Sequence, residues 1–326
     1  MTQEARHRRG GAIRLITGIA LMAFVVWWVG LEKVGAAFSR IRPVWIIPIL
    51  VTAYLGIALS CLRWKALLAA RGINVSVHPL TFYYTIGYFF SSFLPSMFGG
   101  DLARSYIFGK KIKSQLESFA SVFMERLTGL AGLVGVAFIA SVINYATLAE
   151  AGLALFMSAV FAGFIVFLVL LFNKPLVDYL GGRVKWERLA KWRDRFAAFH
   201  DAIYSFRNHK KTVVLALVYS VLFQFLTSVN TYIVCLALGL EVRLLDIMIV
   251  VPLILLICTL PLTPNSMGVW EASFAFFFSK LGVPEAGALS IGLVLRAKNI
   301  LVALLGGGFY MISGRGLETP EAIDED

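Results

Sequence analysis

Charge is scarce in this sequence. Only 15% of its 326 residues are Asp, Glu, Lys or Arg, against 59% hydrophobic. That balance excludes a soluble domain with an ordinary solvated surface. Cysteine and histidine are scarce too. The three cysteines, Cys61, Cys235 and Cys258, lie in apolar stretches, and the four histidines, His7, His78, His200 and His209, are scattered. No spacing among them suits a metal site, a disulfide framework or a Cys–His nucleophile. The GxxxxGK[ST] phosphate loop and the GxSxG nucleophile turn are both absent, so neither an ATP-driven pump nor a hydrolase of that type has support. Nothing in the sequence asks for a cofactor.

What is present is a series of apolar runs near the ~20 residues needed to cross a bilayer core. The net charge of +11 gathers at the N-terminus and in one central loop. There it flanks spans and marks the cytoplasmic face, and no nucleic-acid-binding motif accompanies it. Ile13 to Leu31, ending in Trp27 and Trp28, reads as a retained first helix leading out of the cytoplasm. Val44 to Leu62 reads as the second span, with Arg63, Lys65 and Arg71 holding its end in the cytoplasm. Phe119 to Val142, Leu153 to Phe172, Thr212 to Leu238 and Leu289 to Ile312 read as further spans. Between them, residues 173–211 carry ten Lys and Arg against four Asp and Glu. Within that loop, Trp186, Leu189, Trp192, Phe196, Phe199, Ile203 and Phe206 recur at steps of three or four. This spacing predicts an amphipathic helix over about 183–207, lying on an anionic lipid surface or docking a partner.

Two stretches break the apolar pattern. Leu94 to Arg104 reads LPSMFGGDLAR, and Leu260 to Glu271 reads LPLTPNSMGVWE. In the first, Pro95 precedes Gly99 by four residues, Gly100 follows, and an acid comes at Asp101. In the second, Pro264 precedes Gly268 by four, and an acid comes at Glu271. Proline and glycine interrupt helices. Broken backbone at membrane depth survives only inside protein or beside water. The apolar pieces flanking each break are short: Pro79 to Leu94 before the first, Ile247 to Leu260 and Val269 to Lys280 around the second. The charge pattern makes the first a re-entrant element from the cytoplasm and the second a hairpin from outside. Paired breaks of opposite sense are what an inverted repeat gives, and they point to a transporter's binding site.

Ionisable residues within apolar segments are functional candidates. They are Asp101, Arg104, Glu125, Arg126, Glu271, Arg296 and Lys298, with Asn299 beside the last. Arginine can grip a phosphate with two parallel hydrogen bonds. The acids can meet a cationic headgroup or balance the bases. The set suits an anionic or aminoacylated phospholipid headgroup. Gly306 to Gly308 allow close helix packing.

Three motifs in this order, LPSMFGGDLAR, FMERLTGL and PLTPNSMGVWEA, resemble those of the lysylphosphatidylglycerol synthase transmembrane region, the UPF0104-type flippase-like domain. The resemblance covers roughly residues 10–315. It implies a part in moving aminoacylated phosphatidylglycerol between leaflets, which in bifunctional members accompanies a separate lipid-making domain. The chain ends at Asp326, soon after its last span, so the expectation is the translocating half alone, with the lipid's identity open. By motif, the resemblance places function on Pro95, Gly99, Gly100, Asp101, Arg104, Glu125, Arg126, Pro264, Gly268 and Glu271.

The sequence therefore predicts an all-α polytopic integral membrane protein. One transmembrane flippase-like domain would span residues 1–326, with about six to eight transmembrane helices and two re-entrant broken-helix elements. It is expected in the inner membrane with both termini cytoplasmic, as a translocator and not an enzyme. A membrane enzyme acting on a lipid-linked substrate is one alternative. Another is a subunit that recruits a separate lipid synthase. Membrane lipid is the expected partner, a homo-oligomer is compatible, and nucleic acid is not.

Overall fold

The computed structural model describes residues 41–91, 99–143, 154–175, 190–260, 263, 266 and 268–312. Among them the regular elements are all helical. The expected first span at Ile13 to Leu31 lies outside the described residues, as do Pro95, Pro264, Trp186 and Leu189.

Four helices form a first set: α1 (Ile46–Ala69), α2 (Val77–Ser91), α3 (Gly99–Lys111) and α4 (Gln115–Ile143). α5 (Ala154–Leu171) and α6 (Ala190–Ser205) connect them to a second set. That set is α7 (Lys210–Ala237), α8 (Leu244–Thr259), α9 (Val269–Lys280) and α10 (Glu285–Ile312). Each set is a long helix, two short ones and a long one. The helices have 24, 15, 13 and 29 residues in the first set and 28, 16, 12 and 28 in the second. α1 with its leading turn, α4, α7 and α10 are long and apolar enough to cross a membrane. At 1.5 Å per residue the short helices reach only about 18–24 Å, less than a ~30 Å hydrocarbon core.

The second set runs in the opposite sense to the first. Its first helix, α7, lies antiparallel to α1: Asn230 meets Ile49, Phe223 meets Gly56 and Ser220 meets Arg63. Two apolar cores follow from this. One joins α8, α9 and the start of α10 to one end of α1, α4 and α7, with Phe274, Phe278, Ile254 and Ile291 buried. The other joins α2 and α3 to the other end of α1, with Trp64, Leu68, Leu80 and Phe108 buried. Outward-facing Val44 in the turn before α1, Ile47, Val51 and Leu55 on α1, and Val214, Val218 and Phe225 on α7 are exposed. A surface this apolar fits a lipid solvent.

The first short pair packs closely and antiparallel. Across α2 and α3, Gly87 lies against Gly100 and the Tyr83 ring against Phe108, 5.3 Å between centroids. A Cβ on Gly100 would sit 2.0 Å from the Gly87 carbonyl oxygen and from Ser91 Oγ, so the helices meet backbone to backbone. In α10, a Cβ on Gly306 would stand 2.1 Å from the Thr85 carbonyl oxygen, and one on Gly307 2.5 Å from the Phe89 ring, which gives these two glycines a packing role.

Two sequence expectations are corrected. α1 does not stop at Leu62 but continues to Ala69, burying Arg63, Trp64, Leu67 and Leu68 on the way. The apolar pair Leu67 and Leu68 packs inside and carries the helix past the charge. The end of the amphipathic stripe does not face lipid. Phe199, Ile203 and Phe206 pack with Leu67, Met124, Leu127 and Ala216 at the foot of the bundle. Arg71 clamps this end through both Glu117 carboxylate oxygens, at 2.6 Å each, and through Ser205.

Candidate functional site

α3 opens with Gly99 and Gly100, packed against α2, and its first turn carries Asp101. An acid there is favoured by the exposed amide groups and dipole of the helix start. Arg104 lies one turn on, on the same face, and donates from Nε to Asp101 Oδ1 at 3.0 Å. Its Nη2 reaches across to Glu125 Oε2 on α4. The guanidinium is also sandwiched between aromatic rings, 4.3 Å from Tyr84 and 4.8 Å from Trp64. Such contacts suit a desolvated arginine.

Glu125 is fully buried, and it accepts hydrogen bonds from Arg63 Nη2, Arg104 Nη2 and, at 3.1 Å, the Tyr84 hydroxyl. Arg63 is fixed from its other side by Ser220 Oγ of α7, at 2.9 Å. The neighbour of Glu125 in α4, Arg126, projects about 100° away and donates from Nε to Asp101 Oδ2. The two residues of the sequence pair Glu125–Arg126 thus have different places. Glu125 lies at the centre of the cluster, while the Arg126 side chain remains 45% exposed at its mouth.

The cluster holds three arginines and two carboxylates, one positive charge in excess. Two of its buried donors, Arg104 Nη1 and Arg63 Nε, have no hydrogen-bond partner among the described residues. A buried charge must be paired, and an unsatisfied donor costs about 1–3 kcal/mol. Both features favour an added anion with several acceptor oxygens.

A second cluster stands at the α8–α9 break. Gly268, with φ of +77°, turns the chain into α9, and its N–H donates to Glu271 Oε2 at 2.9 Å. Arg296 of α10 pairs with the same carboxylate: Nη2 donates to Oε2 at 3.2 Å, and Nε makes an ion-pair contact with Oε1 at 2.5 Å. It also reaches the Ser266 carbonyl at 3.4 Å. Lys298 belongs elsewhere: it donates to Asn230 Oδ1 at 2.9 Å, and Asn230 in turn bonds the Ile49 carbonyl and Thr52. Asn299 is exposed. The structure thus gathers Asp101, Arg104, Glu125 and Arg126 into one cluster and Gly268, Glu271 and Arg296 into another. Lys298, bonded to Asn230, and the exposed Asn299 stand apart from both clusters. Among the described residues, no group of three or more His, Cys, Asp or Glu is placed to hold a metal ion.

Comparison with known sequences supplies the family. The profile of the lysylphosphatidylglycerol synthase TM region matches residues 15–307. The chain belongs to the lysylphosphatidylglycerol synthase transmembrane-region family. Among its relatives, a UPF0104 membrane protein of Methanothermobacter thermautotrophicus is 25% identical over 94% of both chains. A UPF0104 membrane protein of Pyrococcus horikoshii is 22% identical over 93% of this chain and 97% of its own. No solved structure matches. Membership in this transmembrane family and the long apolar helices make the protein a multi-pass membrane protein.

Sequence reasoning about this family member missed Arg63, Tyr84 and Ser220. Arg63 had a visible signal: the apolar residues Leu67 and Leu68 resume beyond it before the first glycine at Gly72. Ser220 had none, because its role depends on a partner 157 residues away in the chain.

Proposed function

We propose that this protein moves a phosphate-bearing lipid between the leaflets of a membrane. In this reading α2–α3 and α8–α9 are re-entrant hairpins of an inverted repeat, and the headgroup passes between them while the acyl chains stay in lipid. The observation that carries it is the buried cluster of Arg63, Arg104 and Arg126 with Asp101 and Glu125. It has an excess positive charge and arginine donors that no other described residue satisfies, among helices of a family whose name refers to a lipid synthase. The arginines meet the phosphate. Asp101 keeps Arg126 paired while the site is empty and meets an amine where the headgroup carries one. In this reading the basic end, with Arg71, Lys110 and Lys111, faces the cytoplasm, as the positive-inside rule favours, and the protein sits in the inner membrane with its termini inside.

A synthase-recruiting role has less support, because Phe199, Ile203 and Phe206 of the amphipathic stripe are already engaged by the bundle. The test is reconstitution into vesicles with fluorescent phospholipid in both leaflets, read by chemical quenching from outside. Wild-type protein exposes the inner-leaflet label, while Asp101→Asn and Arg104→Lys slow this by about tenfold or more. Folded variants with unchanged rates would remove these residues from the path.

A further inference from the structure

The two ion pairs at the helix breaks occupy the same register in the two sets of helices. Asp101 is the third residue of α3, and Glu271 is the third residue of α9. Arg126 is the twelfth residue of α4, and Arg296 is the twelfth residue of α10. Acid and arginine are 25 residues apart in both. We propose that Glu271 and Arg296 form a second station for the phosphate of a lipid headgroup, the counterpart of Asp101 and Arg126, opening toward the opposite membrane face. The proposal rests on the translocator reading above.

One ion pair in a helical bundle can be a local accident of packing. The same pair at the same two positions, in helices that run in opposite senses, is a property of the shared architecture. In both sets the acid sits in the first turn after a break. In both, the arginine comes from the long helix that follows. The second pair is tied to its break: Glu271 accepts from the Gly268 N–H, and Arg296 reaches the Ser266 carbonyl. The side chains of Glu271 and Arg296 remain 23% and 16% exposed, so a ligand has access to both.

The chemistry of the fork defines the ligand. Arg296 sets two nitrogens against the two carboxylate oxygens of Glu271, Nη2 through a hydrogen bond and Nε through an ion-pair contact. The two non-bridging oxygens of a phosphodiester offer the same spacing and a negative charge. A headgroup phosphate can therefore take the place of Glu271 on Arg296, leaving the carboxylate held by the amide at the helix start. Station one has Arg104 of α3 and Glu125 of α4 behind it, with Arg63 of α1 on the Glu125 carboxylate. At the corresponding places of α9 and α10, station two has Phe274 and Leu295. Station two thus holds phosphate through one arginine and releases it more readily.

The test uses vesicles containing acyl-labelled phosphatidylglycerol or, as the phosphate-free probe, acyl-labelled diacylglycerol. Arg296→Gln slows phosphatidylglycerol crossing by roughly tenfold. Arg296→Lys, which keeps the charge and loses the fork, falls between. Reversing the pair, Glu271→Arg with Arg296→Glu, does not restore the rate, because phosphate then meets an arginine on the wrong helix. A reversed pair that restores wild-type crossing makes the contact a structural bridge and overturns the proposal. So do wild-type rates in both single Arg296 variants. Equal slowing of diacylglycerol crossing also overturns it. Wild-type protein that moves no phospholipid defeats the translocator reading instead, so the two failures are distinct. A thermal-shift series in detergent separates the ligand's sources. Short-chain phosphatidylglycerol stabilises wild type and not Arg296→Gln. Equal stabilisation by inorganic phosphate, also lost in Arg296→Gln, overturns a lipid source.

Discussion

The two sets of helices share a frame and differ in what they bury at its centre. In the first set, Arg104 of α3 and Glu125 of α4 meet Arg63 of α1 in a buried charge network. In the second, the residues at the places of Arg104 and Glu125 are Phe274 and Leu295, both inside the apolar core. What both retain is the acid–arginine pair beside the break. The frame therefore stands with either an ionic or an apolar centre. This means the first centre is ionic for a reason other than folding. Buried ion networks are seldom more stable than apolar packing of the same shape, so the second set shows what a centre selected for packing alone looks like.

The largest expected effect breaks this comparison directly. Glu125→Leu leaves Arg63 and Arg104 buried without their shared carboxylate, and it costs roughly 3–5 kcal/mol of stability. Arg63→Met, Arg104→Met and Glu125→Leu together make the first centre resemble the second. The triple variant recovers most of that loss in a thermal or denaturant melt, and it moves no lipid. A triple variant that folds and translocates normally would make the charge network dispensable and return the first centre to a packing role.

The next effect concerns the breaks. Gly100→Ala places a methyl group 2.0 Å from the Gly87 carbonyl oxygen, backbone against backbone, where neither side yields cheaply. Overpacking of this kind costs about 1–3 kcal/mol or more, and it separates α2 from α3. Gly268→Ala meets nothing within 4 Å among the described residues, and the cost read from them is that of the positive φ at that residue, about 1 kcal/mol. The first glycine holds two helices together and the second turns the chain. Melting both variants checks the order, and a larger loss at Gly268 would reverse these roles.

The lengths of these elements were legible in the sequence, and the contents of the first centre were not. Val269 to Lys280 is the observed α9, and Ile247 to Leu260 overlaps α8, because Pro, Gly and Ser around 261–268 end an apolar run visibly. Asp101 and Glu125 stood out as acids in apolar surroundings. Arg63 did not, since an arginine after a hydrophobic run reads as the end of a span by the positive-inside rule. Its actual place is set by Glu125, 62 residues away, and by Ser220, 157 residues away. Pairings at that range leave no local pattern. The stripe on α6 misled for a related reason: periodicity shows that a face is apolar and not what covers it. Phe199, Ile203 and Phe206 are covered by protein.

The smallest effect separates the two acids that the sets share. Asp101 joins two arginines, Arg104 and Arg126, with its side chain 9% exposed. Glu271 joins one arginine and its own helix start, with its side chain 23% exposed. Asp101→Asn removes the charge from a nearly closed network and costs about 1.5–3 kcal/mol, the range of hydrogen bonds to charged groups. Glu271→Gln keeps an oxygen for the Gly268 amide and loses only the charge opposite Arg296, in a place where solvent screens part of it. Its expected cost is about 1 kcal/mol or less. If the two substitutions destabilise equally in melts at low and high salt, the second pair is as integral to the fold as the first. If Asp101→Asn costs more and Glu271→Gln responds more to salt, the second pair is the looser one, as a contact that opens for a passing headgroup must be.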